Sequence, residues 1–266
     1  MKKYIKVITI ILVLILSFSI FGCENSNTVR QVYAYAIVHS SYIGEVKLES
    51  DKSGRVVTVK FEEYFMPTTF FNVANYAMDK FSADNLTMVV TSNGKEAQYI
   101  NNISIDGENY TLFTSEFKDE KGKSYDPKRY VIDYKSSNKA SLNTYISTDE
   151  GGKWYVQVLK SGLITVGKMD KKEYQKIAEV AYNGGISKSS TGYWSTDLGE
   201  RKGWALNMHL IETQLIKEFN KAEVVSMTDK AMEKMKIDSG ASAASFNDYV
   251  KLAFAAYKKI TEKTSK

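Results

Sequence analysis

Val46-Lys47-Leu48-Glu49-Ser50-Asp51-Lys52-Ser53-Gly54-Arg55-Val56-Val57-Thr58-Val59-Lys60-Phe61 is the stretch that decides how this chain begins its fold. Val46 and Leu48 alternate with Glu45, Lys47 and Glu49. Beyond the turn at 51–54, Val57, Val59 and Phe61 alternate with Thr58, Lys60 and Glu62. A strand sends successive side chains to opposite faces, so period two on both sides of a Gly-bearing turn predicts a β-hairpin. The pattern recurs downstream. Residues 86–91 and 96–100 flank Asn93-Gly94, a favoured two-residue turn, and 103–105 and 110–113 flank Asp106-Gly107. Residues 130–134, 142–147 and 154–159 read as further strands.

The periodicity then changes. Asp170 followed by Glu173 suits a capped helix carrying Tyr174, Ile177, Ala178 and Ala181 inward, stopped at Asn183-Gly184-Gly185. Trp204, Met208, Ile211, Leu215 and Phe219 recur at helical spacing and predict a helix over 203–220. A short helix is expected over 228–236. A last one starts after Ser245, with Phe246, Tyr249, Val250, Ala253 and Tyr257 on one face. The Gly/Ser-rich stretch 183–191 reads as a mobile loop. Strands first and helices last make an α+β fold: antiparallel hairpins in the N-terminal two-thirds, helices packed on them in the C-terminal third.

Upstream of the first strand, Met1-Lys2-Lys3 precedes an uncharged apolar run over 7–22 and then Cys23, the single cysteine of the chain. A basic start, an apolar core and small residues before a cut describe a secretory signal. The run is shorter than the roughly 20 apolar residues that a spanning helix needs. Ile20-Phe21-Gly22-Cys23 resembles the lipobox of bacterial lipoproteins, with Phe21 bulkier than is usual there. The resemblance implies cleavage between Gly22 and Cys23 and a diacylglyceryl group on the Cys23 sulfur. Residues 1–22 are then a signal peptide, 23–32 a tether, and 33–266 the folded domain. The location implied is the extracytoplasmic face of a membrane, held by lipid.

Composition narrows the function classes. Lys2, Lys3 and Lys6 leave with the signal, so most of the formal charge of +5 leaves too, and nothing points to nucleic acid. With Cys23 lipidated, no thiol remains for a disulfide, and the fold rests on its core. His39 and His209 stand apart in the sequence, which gives a histidine metal site or a Ser-His triad little to work with. Glu62-Glu63 on a strand points to opposite faces, which argues against a shared carboxylate site. No catalytic set and no metal site are predicted.

The most suggestive segment for a ligand is Ile237-Asp238-Ser239-Gly240-Ala241-Ser242, leading through Ala243-Ala244 into the last helix. Small residues let a ligand approach the backbone, and successive N–H groups before a helix suit phosphate. Ser-Gly-Ala-Ser before a helix resembles the loop of the FMN-binding domain family, whose early β-hairpins resemble 46–61. The resemblance implies that Ser239, Gly240, Ala241 and Ser242 hold the FMN phosphate, either reversibly or with Ser242 esterified by a separate flavin transferase. The family's acid, three residues before the first serine, is here Lys236, and the nearest acid is Asp238. It covers the hairpin at 42–66 and the segment 204–260, and leaves about 67–200 as a β-rich insertion. Trp194, Trp204 and Tyr193 are candidate walls for the ring, or simply core.

Ser147-Thr148-Asp149-Glu150-Gly151-Gly152-Lys153-Trp154 resembles the Asp-box of β-propellers, in one copy. It reads as a stapled hairpin between the strands expected at 142–147 and 154–159. The function expected is thus a membrane-anchored extracytoplasmic lipoprotein that binds FMN for electron transfer with an unidentified redox partner. The alternative is a flavin-free surface lipoprotein that binds a ligand or an envelope or host component. Either is a carrier or binding protein more than a catalyst.

Overall fold

The computed structural model describes residues 30–69, 87–138, 140–168, 173–176, 185–194, 197, 201–221 and 228–262. The signal segment and Cys23 lie outside them. The chain follows the expected α+β plan. A three-stranded antiparallel meander, β1 (Arg30–Val38), β2 (Tyr42–Ser50) and β3 (Val56–Phe65), comes first. β1 takes in Arg30, Gln31 and Val32, which the sequence assigned to the tether. A hairpin of β4 (Thr87–Ser92) and β5 (Lys95–Ile100) follows. A five-stranded antiparallel sheet then combines β6 (Asn102–Ile105), β7 (Glu108–Glu116), β8 (Tyr130–Ser136), β9 (Ile164–Lys168) and β10 (Glu173–Lys176) in the order β10-β9-β6-β7-β8. The helices are α1 (Leu142–Ile146), α2 (Asp149–Lys160), the single turn α3 (Lys188–Thr191), α4 (Trp204–Phe219), α5 (Asp229–Ser239) and α6 (Phe246–Glu262).

The hairpins read from the sequence form with the turns their residues favour. Asn93 and Gly94 both have positive φ, as do Asp106 and Gly107, which is the backbone twist that suits a two-residue loop. The β2–β3 hairpin differs in one detail. Its register shifts at Glu49 and Ser50, so Val57 is the extra residue of a bulge. Val56 is therefore buried in its place, and Val57 is exposed.

Two assignments are overturned. Residues 142–147 and 154–159 belong to helices, not strands. Thr148 is the N-cap of α2, and its hydroxyl accepts from the Gly151 amide, so the Asp-box resemblance marks a helix start instead of a hairpin. The two glycines are needed for contact and not for a turn. A Cβ on Gly151 would lie 2.0 Å from the Tyr145 carbonyl oxygen, and one on Gly152 would lie 2.8 Å from Tyr35 Cβ. Residues 173–176, expected as helix, instead pair with β9 at the edge of the second sheet, where tertiary pairing overrides a local pattern. Asp170, Ile177, Ala178 and Ala181 lie outside the described residues.

Both faces of the meander are buried. Val32, Ala34, Val46, Leu48, Val59 and Phe61 turn to one side and meet α4, α5 and α6. Gly44 permits close approach there, since its Cβ would fall 2.9 Å from Leu252 of α6. Tyr35, Ile43 and Tyr64 turn to the other side. They share a core with Tyr155, Val156 and Leu159 of α2 and with Ile103, Leu112, Tyr134 and Val166 of the second sheet.

β3 is an edge strand, and its outward amides need partners. Side chains of α4 and its C-cap supply two: Glu212 Oε1 accepts from Phe61 N at 2.9 Å, and Asn220 Oδ1 accepts from Val56 N at 2.9 Å. The segment 185–194 supplies another, Ile186 carbonyl oxygen to Phe65 N at 3.1 Å, with a bridge between Tyr64 and Ser187. The stretch expected as a mobile loop is therefore docked on β3 over its described part.

Candidate functional site

The alternation that buries Val59 and Phe61 carries Glu63 to the same helix-covered side of β3, where it has no exposed surface. A carboxylate removed from water this completely must be matched by donors. Its Oε1 accepts from Trp204 Nε1–H at 2.6 Å and from the Tyr249 hydroxyl. Its Oε2 faces a single partner among the described residues, the Lys188 ammonium at 2.7 Å. Lys188 is itself only 4% exposed. Its ammonium lies 4.1 Å from the centre of the Tyr42 ring and 5.6 Å from that of Tyr193, two rings that are hydrogen-bonded to each other.

Local chemistry explains how a lysine reaches this place. Ser187 and Ser190 form a reciprocal capping box around the α3 turn, and Gly192 closes the turn in the left-handed region. Ser189 donates from its hydroxyl to Glu62 Oε2, and its amide reaches Glu62 Oε1 at 3.3 Å. Glu62 and Glu63 thus point apart, as the strand geometry predicts, and each receives one residue of the same turn. Burial raises the Glu62 carboxyl above its usual range, and the Ser189 hydroxyl opposes that shift.

A chain of side chains continues outward from Glu63. Tyr249 OH lies 3.0 Å from His39 Nε2, and His39 Nδ1 lies 2.8 Å from the Ser245 hydroxyl. His39 sits in the β1–β2 turn with positive φ, and its amide donates to Asp248 Oδ2 at 3.2 Å. The turn is thereby fastened to the start of α6. Burial holds the His39 imidazole below its ordinary value, with the Lys188 charge acting in the same direction against Glu63 and Asp248. Burial, then the neighbouring Glu63 carboxylate, keep the Tyr249 phenol protonated and therefore a donor. The arrangement combines a buried amine–carboxylate pair, two neutral donors on one carboxylate oxygen, and a hydroxyl–imidazole–phenol relay.

The four residues expected to hold a phosphate take different roles. Ser239 is the last residue of α5, and its hydroxyl donates to the Lys236 carbonyl oxygen at 2.8 Å. Gly240 is the left-handed C-cap, and its amide bonds back to Lys236 and Ile237. The Ala241 amide donates to Ser239 Oγ at 3.1 Å. The Ser242 amide donates to Asn207 Oδ1 at 2.7 Å, and its hydroxyl accepts from the Lys202 amide at 2.8 Å. Asn207 is fully buried, and its Nδ2 is held by the Lys202 carbonyl oxygen at 2.6 Å. As placed, these residues close a helix and fasten it to α4. The amides of Gly240, Ala241 and Ser242 each donate within the chain.

Of the candidate ring walls, Trp204 binds Glu63 from within the core, Tyr193 borders Lys188, and Trp194 packs against the α4–α6 core. His209 is exposed on α4. Among the described residues there is no group of His, Cys, Asp and Glu able to hold a metal, and no helix long and apolar enough to cross a membrane. No family model, no curated protein and no solved structure matches the chain.

The Glu63 centre was not read from the sequence. Its signal was an acid in phase with Val59 and Phe61, an inward position on a strand that only a paired charge can occupy. Lys188 carried no comparable signal, because a lysine among serines looks solvated.

Proposed function

We propose that this chain is a lipid-anchored protein of the extracytoplasmic membrane face, held through Cys23, whose domain acts without flavin as a binding component of the cell envelope. The anchoring part of this reading is supported by the basic, apolar and lipobox-like sequence ending at Cys23. The flavin-free part is supported by one observation: the amides of Gly240, Ala241 and Ser242 all donate within the chain. A cofactor that depends on such amides would have to displace Asn207, a buried partner fixed by two bonds of its own.

The test uses the full chain made with and without a flavin transferase and purified in detergent. The expected product is colourless, carries no FMN on the peptide containing Ser242, and does not quench flavin fluorescence on titration. Yellow protein, or saturable FMN binding, reinstates electron transfer as the function. Separately, Cys23→Ala is expected to abolish lipid labelling and release the protein from membranes. Unchanged labelling removes the anchor.

A further inference from the structure

We propose that Glu63 and Lys188 are the two ends of an intramolecular isopeptide cross-link, an amide joining Glu63 Cδ to Lys188 Nζ. Four features of the centre carry this. The two groups are in direct contact at 2.7 Å, and both are buried. Pairing of Ile186 and Ser187 with Phe65 and Tyr64 fixes the lysine in register with the glutamate, so the reaction is unimolecular between positioned partners. Trp204 Nε1–H and Tyr249 O–H both point at Glu63 Oε1, the oxygen turned away from the amine. Tyr42 and Tyr193 wall the amine and exclude the water that would reverse the reaction.

The step balances without any added reagent. One proton passes from the Lys188 ammonium to Glu63 Oε2 and leaves a neutral amine beside a neutral acid. The amine lone pair attacks Cδ, forming the N–C bond and placing negative charge on Oε1. The indole N–H and the phenol O–H stabilise that charge as an oxyanion hole does. A second proton moves from the nitrogen to the Oε2 hydroxyl, the Cδ–Oε2 bond breaks, and one water leaves. The product ties β3 to the 185–194 segment covalently, in a domain that has no disulfide available.

The deciding experiment is a tryptic map of the wild-type full chain, digested after denaturation. Trypsin cannot cut after an acylated lysine. The expected result is peptide 61–80 joined to peptide 177–201, lighter than their sum by one water. Cleavage after Lys188, with peptides 61–80 and 177–188 both recovered unmodified, leaves an ordinary buried ion pair and overturns the proposal. Tyr249→Phe, which keeps the ring in the core, is expected to slow appearance of the linked species by about 10²-fold. An unchanged rate in a variant with wild-type melting removes Tyr249 from the reaction. The proposal is independent of the lipid anchor and of flavin, and either can fail without affecting it.

Discussion

The segments 187–192 and 239–242 are built from the same kinds of residue, serine, glycine and other small side chains, yet they do opposite things with their polar groups. At 239–242 the small residues turn inward on themselves. They close α5 and fasten it to Asn207, and the amides of Gly240, Ala241 and Ser242 and both serine hydroxyls have partners within the chain. At 187–192 the serines cap one helical turn so tightly that the remaining side chain, Lys188, is delivered whole into the core against Glu63. One segment resembles a ligand cradle in sequence, and its amides are taken up within the chain. The other resembles a solvated loop and carries a lysine that is only 4% exposed and paired with a buried carboxylate. Composition gives the conformational freedom of a segment, and the long-range partner decides its use.

Removing the long-range partner of Lys188 has the largest expected effect. Glu63→Leu leaves Lys188 buried without an anion and Trp204 and Tyr249 without an acceptor. It is expected to destabilise the fold by about 3–5 kcal/mol, read from chemical denaturation of the purified full chain. A loss under about 1 kcal/mol, the range of exposed pairs, would place the pair in solvent and end its claim to organise the site.

A smaller effect is expected at the α2 start. Gly152→Ala puts a methyl group 2.8 Å from Tyr35 Cβ. Overpacking of this kind costs roughly 1–3 kcal/mol, and a lowered melting temperature checks it. A neutral result would argue that these glycines serve a turn, as the Asp-box resemblance implied, and not helix–sheet contact.

Ser242→Ala probes the other segment. It removes the acceptor of the Lys202 amide but keeps the Ser242 amide on Asn207. A loss of about 0.5–1.5 kcal/mol is expected, the net value of one hydrogen bond. No loss at all would mean that the serine is held in reserve for something outside the chain.

The smallest effect is a pH dependence. His39 titrates lower in the folded chain than its ordinary value of 6.5, so the unfolded chain binds more protons between the two values. Stability is then fully present above 6.5, falls as pH drops from there toward the folded value, and levels off below it. His39→Gln is expected to flatten that part of a stability–pH curve. A slope that persists in the variant assigns it to other groups, of which Glu62, raised by burial, acts with the opposite sign.

Much of the architecture was legible because it is local. The alternation in 45–62 and the Asn93-Gly94 and Asp106-Gly107 turns led directly to β2–β3, β4–β5 and β6–β7, and the spacing of Trp204, Met208, Ile211, Leu215 and Phe219 led to α4. The failures share a cause. Residues 142–160 have the β-branched and aromatic content of strands, but Ser141 and Thr148 cap helices there. Residues 173–176 become an edge strand only because β9 is beside them. The site failed for a related reason. His39, Glu63, Lys188, Trp204 and Tyr249 are spread over the whole domain, and any two of these five are at least 16 positions apart.

The Ser242 amide donates to Asn207 Oδ1 at 2.7 Å, the bond that most sharply separates a closed helix end from an open phosphate cradle. Native-state hydrogen exchange at that amide, measured on the purified full chain with and without added FMN, tests it most directly. Strong protection without FMN, and no change when it is added, is the expected result. Free exchange that becomes protected only when FMN is present would contradict it.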